Sequence, residues 1–68
     1  MPAVESSAVR RIEYDEPSRT LFVIFESGER YAYFDAAPEL FAGFLQAESK
    51  GRFFQDHVRR RFEFHRIT

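Results

Sequence analysis

The fold is decided by one stretch of the sequence, Leu21-Phe22-Val23-Ile24-Phe25-Glu26-Ser27-Gly28-Glu29-Arg30-Tyr31-Ala32-Tyr33-Phe34. Two runs rich in aromatic and β-branched residues flank a polar turn, which is typical of a β-hairpin. A two-residue loop would place Ile24 opposite Tyr31, whereas a three-residue loop over residues 26–28 would place Val23 opposite Tyr31. We favour the three-residue loop, because it uses Gly28 where the backbone must be left-handed.

The favoured register gives the hairpin two apolar faces. One face carries Leu21, Val23, Phe25, Tyr31 and Tyr33. The other face carries Phe22, Ile24, Ala32 and Phe34. A small antiparallel sheet usually has one dry face and one solvated face. We therefore expect a partner or a second copy to cover one face, unless the C-terminal apolar residues cover it within one chain.

The segments around the hairpin add a strand before it and two helices after it. Residues 9–14 alternate as a strand does, except that Val9 predicts a later start or a bulge. Residues 38–48 predict a helix that begins with proline. Residues 50–60 predict a second helix, with Ser49 as its N-cap.

These elements predict a single α+β domain: a three-stranded antiparallel β-meander packed against two C-terminal helices. The alternation of Phe62 and Phe64 predicts either a short fourth strand or an extended tail on the sheet. The expected boundaries are a flexible start at residues 1–7, the meander at 8–35, the helices at 37–62 and a tail at 63–68.

Composition excludes several classes of protein. The 68 residues include nine Phe and three Tyr but no cysteine, so packing rather than disulfides or thiolate metal sites must stabilise the fold. No run approaches the roughly 20 apolar residues of a membrane span. The N-terminal residues lack the pattern of a signal peptide, and we expect a cytoplasmic protein.

The charge is unevenly distributed along the chain. Residues 1–49 hold four basic and nine acidic side chains, a net −5, whereas residues 50–68 hold six basic and two acidic, a net +4. Such segregation indicates either an oriented binding surface or a basic helix that is neutralised by an acidic sheet edge.

The order of these motifs resembles the KTSC domain family. The matching features are the strand Leu21-Phe22-Val23-Ile24-Phe25, the turn glycine Gly28, the Tyr31-Ala32-Tyr33 motif, the proline Pro38, and the segment Ala47-Glu48-Ser49-Lys50-Gly51-Arg52-Phe53-Phe54. This resemblance covers about residues 7–67. It implies a short bacterial domain that also occurs at the C-terminus of some lysyl-tRNA synthetases, and RNA or tRNA as a partner by analogy.

RNA binding needs cations for phosphates and aromatic faces for unpaired bases. The candidate residues are Lys50, Arg52, Arg59, Arg60, Arg66, Tyr31 and Tyr33. Two observations oppose this hypothesis: the isoelectric point is about 6.1, and tyrosines in such strands more often belong to the core. The alternative function is a protein-interaction or homodimerisation module that uses the second apolar face.

Catalysis is not indicated by any motif. Ser18 and Ser27 fall in turns, and Ser49 is explained as a helix cap. His57 and His65 lie eight residues apart, which is not metal-ligand spacing. We therefore expect a non-enzymatic domain without a cofactor, a metal or a small-molecule substrate.

Overall fold

The computed structural model describes residues 8–67 as one four-stranded antiparallel sheet and two helical segments. The strands are β1 (Val9–Asp15), β2 (Thr20–Phe25), β3 (Arg30–Tyr33) and β4 (Phe64–Arg66), and they lie in the order β1-β2-β3-β4. The predicted α+β class is confirmed. Residues 1–7, expected to be flexible, lie outside the described residues.

The central hairpin has the three-residue loop that the sequence favours. Val23 lies opposite Tyr31, and Leu21 lies opposite Tyr33. Gly28 has a φ of +97°, a conformation that is inexpensive only for glycine. Its N–H donates to the carbonyl oxygen of Phe25 at 2.8 Å, which closes the turn.

β1 carries the irregularity predicted at its start. The register shifts between Val9 and Arg11, so the strand contains a bulge rather than beginning later. Val9 consequently packs against the core, while Arg10 and Arg11 both line the opposite side of the sheet.

The first helix, α1, spans Pro38–Gln46. The second begins at Lys50 as α2 (Lys50–Phe53) and continues as a π-helical turn over Phe54–Val58. The Ser49 cap is confirmed, because its hydroxyl accepts a hydrogen bond from the Arg52 N–H at 3.1 Å.

The second helix is shorter than predicted. It was expected to reach residue 60, but it ends at Val58 because Arg59 leaves the helical region with ψ of 128°. Arg60 then has a φ of +66°, and the Arg61 N–H donates to the Val58 carbonyl at 3.1 Å. These angles describe a type II turn, which reverses the chain toward β4.

The core lies between the sheet and the helices. Its largest fully buried side chains are Leu21, Val23, Phe44 and Val58. The helices pack closely at Gly43, since a Cβ there would lie 3.3 Å from the ring of Phe53. The two helices therefore approach more closely than an alanine would allow without a shift of that ring.

The C-terminal segment forms the short fourth strand. Phe64 pairs with Tyr33, and Arg66 pairs with Tyr31, so both side chains lie on the helix-covered side of the sheet. Of the apolar residues that could cover the second face, only Ile67 reaches it. That face stays open in the part of the chain that is described, and Phe34 on it is 41% exposed.

Candidate nucleic-acid interface

One cleft joins the end of the second helix to strands β3 and β4, and we call it the aromatic cleft. Its volume is about 380 Å³. Its aromatic lining consists of Phe25, Tyr31, Tyr33, Phe54 and Phe64. Its polar lining consists of Glu29, Gln55, Arg59 and Arg60. The fold therefore brings four of the seven candidate residues together in the aromatic cleft: Tyr31, Tyr33, Arg59 and Arg60.

The aromatic rings of the cleft grade from buried to exposed. Tyr33 is 5% exposed and belongs to the core, and Tyr31 is half-buried beside it. Phe64 is 57% exposed, with its ring centroid 5.6 Å from that of Tyr31 and 5.7 Å from that of Tyr33. The tyrosines are thus both core residues and part of the cleft wall, while Phe64 offers the open ring face.

The Tyr33 hydroxyl has no hydrogen-bond partner within residues 8–67. The Tyr14 hydroxyl differs, because it donates to the Ala36 carbonyl at 2.6 Å. Burial, together with the nearby Tyr31, raises the pKa of Tyr33 to about 12, against a smaller lowering by Arg59. The phenol therefore stays protonated at neutral pH and can donate a hydrogen bond into the cleft.

The two arginines are positioned by the turn that ends the second helix. The Arg59 guanidinium donates through Nη1 to Gln55 Oε1 at 2.9 Å, which directs it along the helix end. Arg60 occupies a left-handed position that glycine normally fills in a type II turn. This backbone conformation costs a non-glycine residue about 1–2 kcal/mol. Arg60 therefore brings its guanidinium group to the cleft at the expense of backbone strain.

The other three basic candidates do not line the cleft. Lys50 donates to the carbonyl oxygens of Leu45 and Ala47 at 3.1 and 3.0 Å, so it caps the end of α1. Arg52 pairs with Asp56 at 3.6 Å and is otherwise solvated. Arg66 pairs with Glu29 Oε2 at 3.2 Å.

Glu29 itself lines the cleft. Its ion pair with Arg66 therefore offsets the charge of the only carboxylate that residues 8–67 contribute to the cleft lining.

Sequence reasoning missed two features of the surface. Phe64 is absent from the predicted RNA-binding residues, although a fourth strand is one of the two alternatives for its segment and the observed strand places it opposite Tyr33. The open face of the sheet also holds a shallow groove of about 450 Å³. Its lining consists of Phe22, Ile24, Ile67, Arg10, Arg11, Arg30 and Glu13, the last of which pairs with Arg11 at 2.8 Å. These arginines lie within residues 1–49, whose net charge is −5, so the net charge of that segment gives no indication of a basic surface there.

Within residues 8–67, no three His, Asp or Glu side chains come together as a metal site would need. No helix in that range is long and apolar enough to cross a membrane.

Comparison with known proteins assigns the family. The KTSC domain family matches residues 5–62, most of the chain. The crystal structure of a KTSC domain protein from Yersinia pestis is similar with a TM-score of 0.84 and 33% sequence identity, over 100% of this chain and 94% of that one. The chain belongs to the KTSC domain family, and the resemblance seen in the sequence is confirmed.

Two relatives show how the domain occurs. A protein of Tsukamurella paurometabola is 42% identical over 62 residues, which is 91% of this chain and 92% of that protein. A lysine–tRNA ligase of Nostoc punctiforme is 30% identical over 64 residues, which is 94% of this chain but 11% of the ligase. The domain therefore makes up nearly the whole of the first relative and only a small part of the second, the lysine–tRNA ligase.

Proposed function

We propose that this domain is a non-enzymatic cytoplasmic module that binds single-stranded RNA or tRNA through the aromatic cleft. The observation that supports the proposal most is the convergence of residues chosen separately from the sequence. Tyr31 and Tyr33 come from β3, whereas Arg59 and Arg60 come from the turn after the second helix, and all four line one cleft.

The chemistry of the cleft suits an unpaired strand. Guanidinium groups bind phosphate oxygens through paired N–H donors. Exposed aromatic rings stack on bases without demanding a sequence, at about 1–3 kcal/mol per base. Arg59, Arg60 and Phe64 supply these two elements side by side. A cleft of about 380 Å³ has no room for a duplex.

The relatives support the same class of partner. One of them is a lysine–tRNA ligase that contains this domain, and an added domain on a tRNA-charging enzyme has an RNA ligand close at hand. The net charge of the present chain is −1, so binding must depend on the local charge of the cleft rather than on the whole protein.

Fluorescence anisotropy tests the proposal directly. Unfractionated tRNA and a mixed-sequence single-stranded RNA are titrated with the protein at two salt concentrations. We expect saturable binding that weakens as salt rises, because each phosphate contact releases counterions. Absence of binding at the lower salt concentration would contradict the proposal.

A pair of charge-reversal variants locates the site. Arg59→Glu with Arg60→Glu should lower RNA affinity more than tenfold. Arg52→Glu with Arg61→Glu makes the same change in net charge at residues outside the cleft lining, and it should cost less than threefold. Equal losses in the two variants would show that the attraction is diffuse and that the cleft is not the site. Circular dichroism checks that each variant folds.

The open face of the sheet supports a second candidate, a protein interface. Phe34 and Ile67 are 41% and 40% exposed, and the apolar part of the groove lining consists of Phe22, Ile24 and Ile67. Arg10 and Arg30 flank this groove, so two copies stacked face to face would juxtapose like charges and an acidic partner fits better. Phe34→Asp should abolish such an interaction; a monomer that unfolds instead would show that the face is core.

A further inference from the structure

The Tyr33 hydroxyl is a solvent-accessible donor on a largely buried side chain, and no residue in the range 8–67 accepts its hydrogen bond. Tyr33 is 5% exposed, yet its hydroxyl has no partner within residues 8–67. Buried polar groups in folded proteins almost always have a partner, either in the protein or in ordered solvent. Within residues 8–67, no side-chain polar atom that is sealed from solvent lacks a partner, so the Tyr33 hydroxyl reaches solvent, and it does so in the aromatic cleft that Tyr33 lines.

The groups around this hydroxyl favour an anion. Arg59 lies close enough to Tyr33 to influence its ionisation, and Arg60 lines the same cleft. Glu29, the carboxylate of the lining, is paired with Arg66 at 3.2 Å. The cleft therefore presents two guanidinium groups and one neutral O–H donor, a set that matches the oxygens of a phosphate.

A ring face stands next to this anion site. Phe64 is 57% exposed, and its centroid lies 5.7 Å from that of Tyr33. A phosphate near Tyr33 would thus place an attached base over Phe64 or Tyr31. The volume of about 380 Å³ lies near the lower end of the range for small-molecule sites, about 300–1,000 Å³, which suits one nucleotide rather than several.

We propose that the aromatic cleft recognises a single nucleotide, with its phosphate held by Arg59, Arg60 and the Tyr33 hydroxyl and its base stacked on Phe64. This inference rests on the proposed function and narrows it. RNA is then bound through one splayed-out nucleotide, and the rest of the strand contributes weaker contacts.

The inference is tested with small ligands on the full chain. Adenosine 5′-monophosphate, adenosine and inorganic phosphate are titrated separately by NMR, and each is used to compete with fluorescent single-stranded RNA. We expect the monophosphate to bind at least tenfold more tightly than either fragment and to displace the RNA. Adenosine that binds as tightly as its monophosphate would overturn the phosphate assignment.

Tyr33→Phe isolates the hydroxyl, since it removes one oxygen atom and leaves the ring. We expect a loss of about tenfold or more in affinity for the monophosphate, in the range for a hydrogen bond to a charged group. Tyr14→Phe is the matched control, because the Tyr14 hydroxyl bonds to Ala36 and lies outside the cleft lining. Its affinity should stay within twofold of wild type, and unchanged binding by Tyr33→Phe would overturn the inference.

The outcomes separate the two proposals. RNA binding that the monophosphate cannot displace would refute the single-nucleotide unit while leaving RNA binding intact. Absence of any RNA binding by the wild-type domain would refute both the proposed function and this inference. Displacement of RNA by polyglutamate as effectively as by the monophosphate would reassign the cleft to acidic polymers in general.

Discussion

Arg60 holds a left-handed backbone conformation, with a φ of +66°, at the turn position where glycine is normally found. Replacing it with glycine should therefore stabilise the domain. The side chain of Arg60 is exposed, so its removal leaves no cavity. The same substitution removes one cation from the aromatic cleft, so stability and RNA affinity should change in opposite directions.

The expected gain follows from two opposing costs. A non-glycine residue pays about 1–2 kcal/mol to be left-handed. Glycine at the same position makes the unfolded chain more flexible, which costs about 0.5–1 kcal/mol. The difference between the midpoints of these two costs gives a net stabilisation of about 0.75 kcal/mol for Arg60→Gly. With an unfolding entropy of roughly 140 cal/mol/K for a chain of this length, the melting temperature should rise by about 4–7 °C.

Arg61→Gly is the matched control for this measurement. Arg61 is also exposed and has no left-handed backbone, so its replacement carries the flexibility cost without relief of strain. Thermal melts followed by circular dichroism should show a higher melting temperature for Arg60→Gly and a lower one for Arg61→Gly. If both variants melt below wild type by similar amounts, the turn stores no backbone strain and the reasoning fails.

Three other substitutions test the core, the ionisation of the cleft and the helix cap. Phe44→Ala should cost about 3–5 kcal/mol, because the side chain is fully buried, whereas Leu45→Ala at the exposed next position should cost under about 1 kcal/mol by urea denaturation. The pKa of Tyr33 is raised by burial to about 12, so the unfolded state releases this proton first as the pH rises. The free energy of unfolding should therefore fall by about 1.4 kcal/mol more in wild type than in Tyr33→Phe between pH 9 and pH 11, and parallel profiles would argue against a protonated, buried phenol. Ser49→Ala should lose about 1 kcal/mol of helix stability and Ser49→Asp should restore it; an unaffected Ser49→Ala would mean that the cap hydrogen bond to Arg52 contributes nothing.

The sheet was predictable because its determinants are local. Gly28 limits the loop to the one length that needs a left-handed residue, and that length sets the register of Val23 against Tyr31. The Ser49 cap was predictable for the same reason, since the hydroxyl and the N–H that it binds are three residues apart. Hydrophobic periodicity, turn residues and helix caps can each be recognised within a few consecutive residues of a sequence.

The site was only partly predictable, because it depends on contacts between distant segments. Charge alone does not distinguish Lys50, which caps α1, from Arg59, which lines the cleft. The difference arises from the π-helical turn and the left-handed Arg60, neither of which has a sequence signal when the left-handed residue is not glycine. Tertiary packing decides these conformations against local preference.

The order of the strands along the chain affects the stage of folding at which the cleft forms. β1, β2 and β3 are joined by short turns, so their contacts are local and form early and rapidly. Pairing of β4 with β3 closes a loop that contains both helices. This closure costs more chain entropy than the turns of the meander, so we expect it to form later. Because β4 supplies Phe64 and the turn before it supplies Arg59 and Arg60, the folded meander alone has no binding site. The three-residue β4 is exposed along its whole length, so we expect it to open more readily than the other strands, with loss of the cleft while the rest of the sheet stays folded.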